Sequence, residues 1–173
     1  MYLIIQKIYE ENKKILEEGL KKVFKGEDVS SLTGAIKEFT DILGKGLFSE
    51  IVSQIDKIIF DDKKRSENFE SVRFSGKSLI TKNGKVKFEK RYYKDKEIGG
   101  NVCLADKVLG LEKGERIDKN VKATVVERAN DQSYDKSGKG VVPKVDISAT
   151  TVMKNVRKIC GRWKLKNEKR KKK

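Results

Sequence analysis

The spacing of apolar residues changes once along this chain, near residue 70, and that change limits the folds open to it. Leu32, Ile36, Phe39, Leu43, Leu47, Ile51, Ile55 and Ile58 recur every three or four residues, the period of one helix face. Leu3 to Ile5, Ile8, Ile15, Leu16, Leu20 and Val23 keep a similar period over residues 2–24. Lys25-Gly26-Glu27-Asp28 interrupts the pattern, and Ser30 or Ser31 is placed to cap the second helix. Gly44 and Gly46 each cost a helix about 1 kcal/mol against Ala, so a kink or break is expected there. Residues 1–60 therefore read as a helical hairpin burying its stripes. The alternative use of those stripes is pairing between chains, a homodimer through residues 1–60.

Residues 61–71 are polar and charged and read as a linker. Alternation then replaces the helical period. Asn83-Gly84 lies between two alternating runs, the strongest short-range hairpin signal. Pairing Lys82 with Lys85 sets Leu79 opposite Phe88 and Thr81 opposite Val86, all on one face. Ile80, Lys82, Lys85, Lys87 and Arg91 fall on the other face, which reads as solvated. The competing use of that face is contact with a nucleic-acid backbone, with Tyr92 and Tyr93 adding to it. Asn101 to Leu104 is a third short strand, which completes a small antiparallel β element over residues 72–117.

Residues 105–111 read as a helical turn ending at Gly110. Asp118 caps a helix over 119–130 with Val121, Val125 and Val126 inward, and a short helix follows over 132–138 with Tyr134 inward. In the last helix, 147–163, Ala149, Val152, Val156, Ile159 and Trp163 form the apolar stripe, and Ser148 is the N-cap. The fold class is α+β and mainly helical: an N-terminal helical hairpin, a small antiparallel sheet, and a helix-turn-helix-like three-helix unit over 118–163 with a basic tail over 164–173. Pro143 lengthens the turn before the last helix beyond the compact form of that motif.

Charge narrows the partners. Residues 1–60 hold 9 Lys and Arg against 10 Asp and Glu, whereas residues 61–173 hold 32 against 16. A polyanion is the natural partner of the second part, because basic side chains displace counterions condensed on phosphates. The last helix would read double-stranded DNA through Ser148, Thr150, Thr151, Lys154, Asn155, Arg157 and Lys158, since small hydroxyls followed by amide and basic side chains suit major-groove entry. The bland alternative is an ordinary amphipathic helix, and the two stay level on this segment alone. Arg162, Lys164, Lys166, Lys169, Arg170 and Lys171, with Lys172 and Lys173, would add non-specific phosphate contacts. The tail is expected to extend the last helix before fraying. It has too few apolar anchors for a membrane surface, and no run approaches a membrane span.

With no histidine, His-based acid–base catalysis, Ser-His and Cys-His sites and the common zinc sites are excluded. Cys103 and Cys160 lie too far apart for metal-ligand spacing, and a cytoplasmic chain with reduced thiols is expected. The adjacent acidic pairs, Glu10-Glu11, Glu17-Glu18, Glu27-Asp28 and Asp61-Asp62, lie on helices or helix ends, where solvated charge is the default. Gly110-Leu111-Glu112-Lys113-Gly114 lacks the Gly-Lys-Ser/Thr ending of a phosphate loop. No cofactor, metal or catalytic residue is expected.

Four segments in order carry a resemblance: Ile80 to Tyr93, Val102 to Leu111, Ala129 to Tyr134, and Ile147 to Val152. Together they resemble the N-terminal part of bacterial ISLre-type insertion-sequence transposases, a group also treated as an uncharacterised, transposase-like protein family. The resemblance implies DNA-end binding. It also implies that a metal-dependent RNase H-like domain follows this region in such proteins, so no catalytic carboxylate carries over and the chain reads as a non-catalytic, truncated fragment. An RNA-associated basic structural protein, and a non-functional remnant of a decayed mobile element, are the alternatives.

Overall fold

A computed structural model describes residues 2–171, with side chains described through Ile159 and at Gly161. The fold is α+β, with helices before, beside and after a three-stranded sheet. The chain forms two compact units: residues 1–79 with 85–116, and residues 80–84 with 117–173.

In the first unit, α1 (Tyr2–Phe24) packs along α2 (Ser30–Asp61). Two glycines set how closely they meet. A Cβ on Gly19 would lie 2.5 Å from Ala35 Cβ, and one on Gly46 would lie 2.6 Å from Ile8 Cδ1. The expected break at Gly44 and Gly46 does not occur, because α2 runs unbroken and Gly46 leaves room for Ile8. Tyr9 meets Phe39 edge-on at 6.0 Å. Neither Ser30 nor Ser31 caps α2; the Ser31 hydroxyl donates to Glu27 instead. The apolar stripes are only partly covered: Leu3, Ile5, Leu20, Ile36, Ile51 and Ile58 remain exposed.

Residues 61–71 are not a linker. Asp62 accepts from the Lys64 N–H and caps α3 (Lys63–Asn68), and β1 (Phe69–Thr81) begins directly after it. Polar composition there reflects an exposed helix rather than absent structure. β2 (Gly84–Asp95) lies between β1 and β3 (Asn101–Val102), with Tyr93 opposite Val102 and Lys94 opposite Asn101. The hairpin turn is Lys82-Asn83, one residue earlier than expected. Gly84 takes φ +115° while Asn83 does not turn positive, so the mirror-image turn at Asn83-Gly84 does not form. The expected face survives this shift: Leu79, Thr81, Val86 and Phe88 are all buried. Leu79, Val86 and Phe88 form a core with Val52 of α2, flanked by Phe48, Leu109 and Leu111. After β3 comes α4 (Leu104–Val108), which starts one residue before the expected turn.

The second unit takes the hairpin tip. Ile80 bridges Ile117 in parallel, and the Asp118 N–H donates to the Ile80 carbonyl at 2.9 Å. The Asp118 carboxylate then accepts from Asn120 and Val121 and caps α5 (Lys119–Arg128), as its position suggested. Ser133 caps α6 (Tyr134–Gly138), but Tyr134 is exposed rather than inward. α7 (Ala149–Lys171) closes the unit. Its core is Ile117, Val121, Val125, Val142, Ile147 and Val152.

The glycines of the first unit separate two effects. Gly34→Ala, in open space, should stabilise the protein by about 1 kcal/mol through helix propensity. Gly19→Ala brings the same propensity but must push α1 off Ala35, and should lower stability by about 1–2 kcal/mol. Urea titrations showing equal gains would mean that the helices do not meet at Gly19.

Candidate nucleic-acid interface

The start of α7 is held by its neighbours in the second unit. The Ile147 N–H donates to the Gly138 carbonyl at 3.1 Å, and a Cβ on Gly138 would overlap the Ile147 carbonyl oxygen and lie 3.2 Å from Val152 Cγ2. Only glycine lets α6 end so close to the head of α7. Pro143 and Lys144, the latter at φ +56°, turn the chain between Val142 and Val145 so that residues 139–148 return to that head. Ser148 behaves as the N-cap: its hydroxyl lies 3.4 Å from the Thr151 N–H and 2.9 Å from the Thr151 hydroxyl, while its carbonyl accepts from Thr151 and Val152. Val152 is fully buried and Val156 packs beside the same core. The inward stripe stops there, since Ile159 is 44% exposed and the Trp163 side chain lies outside the described residues.

The seven residues assigned to DNA contact divide by what already occupies them. Ser148 and Thr151 hydroxyls are engaged with each other at the cap. The Asn155 amide donates to the Thr151 carbonyl at 3.0 Å. Thr150, Lys154 and Arg157 are exposed, and their spacing of four and three sets them on one face. Lys158 is exposed beside them. The backbone at Arg162, Lys164, Lys166, Lys169, Arg170 and Lys171 is helical as part of α7, while their side chains, and Lys172 and Lys173 altogether, lie outside the described residues.

A second charged group, in the first unit, escaped the sequence reading. Lys90 is 3% exposed, and its ammonium contacts Asp106 of α4, which also holds Lys77 of β1 at 3.2 Å. The alternation signalled this: residues 86, 88 and 90 share parity, so a lysine at 90 points inward and needs a carboxylate. Burial alone would lower the Lys90 pKa, but the Asp106 hydrogen bond and nearby negative groups outweigh it and leave it raised above 10.5. Cys103 is also buried there. Desolvation, together with the adjacent Asp106 charge, raises its pKa, so it stays a thiol at neutral pH despite its backbone hydrogen bond and Lys90.

Arg91 does not lie on a solvated face. Its guanidinium sits between the rings of Phe60, at 3.6 Å, and Phe74, at 4.6 Å. Its Nε lies 3.1 Å from Asp56 Oδ2 as an ion pair without hydrogen-bond alignment, and its backbone N–H donates to Asp56 Oδ1. Tyr93 is fully buried and offers no backbone-contacting surface, whereas Tyr92 is half-buried. Among the described residues no group of acids or cysteines has metal-site geometry, and no helix is long and apolar enough to cross a membrane.

The fold and the α7 face describe an α+β protein whose second unit presents a short polar and basic helix face. The chain belongs to the uncharacterised protein family UPF0236, whose family model matches residues 22–173. It is 38% identical over 149 residues to UPF0236 protein TTE0402 and to UPF0236 protein TTE2489 of Caldanaerobacter subterraneus subsp. tengcongensis, covering 86% of this chain and 30% and 32% of those proteins. A further UPF0236 protein of that organism, 38% identical over 148 residues, covering 86% of this chain and 31% of its own length, has a name that joins eleven labels. The chain thus spans about a third of the length of these relatives. No solved structure matches it.

Three outcomes test the buried group. Asp106→Asn leaves two ammonium groups without their acid and should cost about 3 kcal/mol by urea denaturation at pH 7. Because folding raises the Lys90 pKa, its stabilisation is complete below pH 10.5 and disappears as pH rises through the folded value; unchanged alkaline stability would contradict the pairing. In a Cys160→Ser background, Cys103 should react with a neutral thiol reagent at least about tenfold more slowly when native than in guanidinium.

Proposed function

We propose that this chain is a non-catalytic, DNA-end-binding region of an insertion-sequence transposase-like protein, with any strand-transfer chemistry supplied outside these residues. The observation that carries the reading is the outward face of α7, where Thr150, Lys154 and Arg157 stand exposed together beside Lys158. A groove-entering helix needs its first turns rigid and its outer face accessible, and Gly138, Ser148 and Val152 supply the rigidity. The charge of residues 61–173 suits phosphate, and the tail adds attraction without sequence preference. The relative whose name joins eleven labels fits a protein encoded at several places in one genome, as a mobile element would be.

Enrichment from a pool of randomised duplexes, followed by fluorescence anisotropy over a salt series, tests this. The full chain should select a preferred sequence. Lys154→Ala and Arg157→Ala should weaken binding to it about tenfold or more, with the loss concentrated on that sequence if they read bases. Replacing Lys164, Lys166 and Lys169 with Gln should weaken all duplexes alike and lower the log–log salt slope by about 0.9 for each phosphate no longer neutralised. Unchanged affinity in both α7 variants would remove the assignment.

A further inference from the structure

We propose that the outer face of the α1–α2 hairpin is a dimer interface, and that its occupant is the same face of a second copy of this chain.

The two helices run antiparallel, since Gly19 meets Ala35 while Gly46 meets Ile8. At each of these contact points the next residue is apolar and not buried: Tyr9 after Ile8, Leu20 after Gly19, Ile36 after Ala35 and Leu47 after Gly46. One residue is about 100° of helical turn, and in antiparallel helices the same step leads to the same side of the pair. The four residues therefore share one face, which the helical period extends to Ile5 on α1 and to Ile51 and Ile58 on α2. The sheet packs on the other side of α2, against Phe48, Val52 and Asp56. Helix α2 thus has two apolar sides, one covered by strands and one open.

The open face has the size and the chemistry of an interface. Ile5, Tyr9, Leu20, Ile36, Ile51 and Ile58 are 39% to 70% exposed. With Tyr2 and the half-buried Leu16, Leu43 and Leu47 beside them, and roughly 200 Å² for a whole side chain of this size, the face offers about 800 Å² of apolar surface. One partner of a standard stable interface contributes about the same area. The polar residues in line with the stripes already have partners within their own helices. Lys13 pairs with Glu10 at 2.6 Å, the Thr40 hydroxyl donates to the Ile36 carbonyl, and the Gln54 amide donates to Glu50 at 3.1 Å. Covering the face therefore strands no polar group.

Charge and symmetry choose the occupant. Residues 1–60 carry a balance of −1, so this hairpin draws neither a polyanion nor an anionic membrane surface, and two copies meet without net repulsion. A two-helix layer open on one side is half of a four-helix bundle. A two-fold axis lays such a face on itself, and a continuous uncharged apolar surface is its own complement. None of these residues lies on α7, so the dimer stands or falls independently of DNA binding.

Sedimentation equilibrium of the full chain, free of nucleic acid and detergent, should show a dimer at protein concentrations of about 10 µM. Leu20→Glu and Ile36→Glu should each weaken association at least about hundredfold while the helical circular dichroism is retained, because both side chains stand outside the α1–α2 contact. Leu20→Met should stay dimeric, as should Glu18→Lys, since Glu18 precedes Gly19 and lies on the opposite side of α1. Lysine cross-linking of an equal mixture of isotopically heavy and light chains needs no variant; mixed cross-links should join residues 1–60 of one copy to residues 1–60 of the other. The Lys154→Ala, Arg157→Ala chain should dimerise like the parent, which separates this interface from α7. A monomer throughout, mixed cross-links confined to other residues, or an undiminished dimer in both glutamate variants would overturn the proposal. So would a monomer that binds neutral phosphatidylcholine vesicles and loses them in Leu20→Glu, which would make the occupant a lipid surface.

Discussion

Asp106 is the constraint on which the first unit rests. It stands on a helix of five residues and meets lysines from β1 and β2, so a single carboxylate ties both long strands to α4. Without it, two cations would lie in a poorly hydrated place, and the sheet would have to open to water or lose protons. Asp56 does the corresponding work between α2 and β2, where Arg91 is also sandwiched by Phe60 and Phe74. The apolar core of this unit is small, built on Val52, Leu79, Val86 and Phe88. In a chain that is 39% charged, paired acids and bases inside the sheet therefore fix geometry that apolar packing alone leaves loose.

The second unit is built differently. It has an aliphatic core drawn from α5, the 139–148 loop and α7, closed by the hairpin tip through the Ile80–Ile117 bridge. Its tightest point is Gly138 against Ile147, which sets where α7 begins. The candidate face then follows from helix geometry, since fixing Val152 and Val156 inward turns Thr150, Lys154 and Arg157 outward.

Much of this is legible in the residues alone. The first helix, the Asp118 and Ser148 caps, the buried face of the hairpin and the start of the apolar stripe on α7 all follow from short-range rules, because caps and periodicities are set within a few residues. The misreadings share another cause. Residues 61–71 resemble a linker because an exposed helix and an exposed strand end are as polar as a loop. Gly46 resembles a break because its partner, Ile8, lies in another helix. Arg91 reads as solvated because nothing near it in sequence reveals Asp56 or two flanking rings.

The sequence by itself determined the α+β class, the order of the elements other than α3, the acidic-to-basic change along the chain and the residues that face outward on α7. These depend on backbone geometry and local side-chain chemistry. Only the tertiary structure decided that Lys90 is buried and shared with Lys77 on one acid, that the hairpin tip belongs to the second unit, and that Gly19 and Gly138 are needed for space rather than for turns. The physical reason is separation along the chain. Asp106 lies 16 and 29 residues from its two lysines and Asp56 lies 35 from Arg91, and pairings of that length form only when packing brings the elements together.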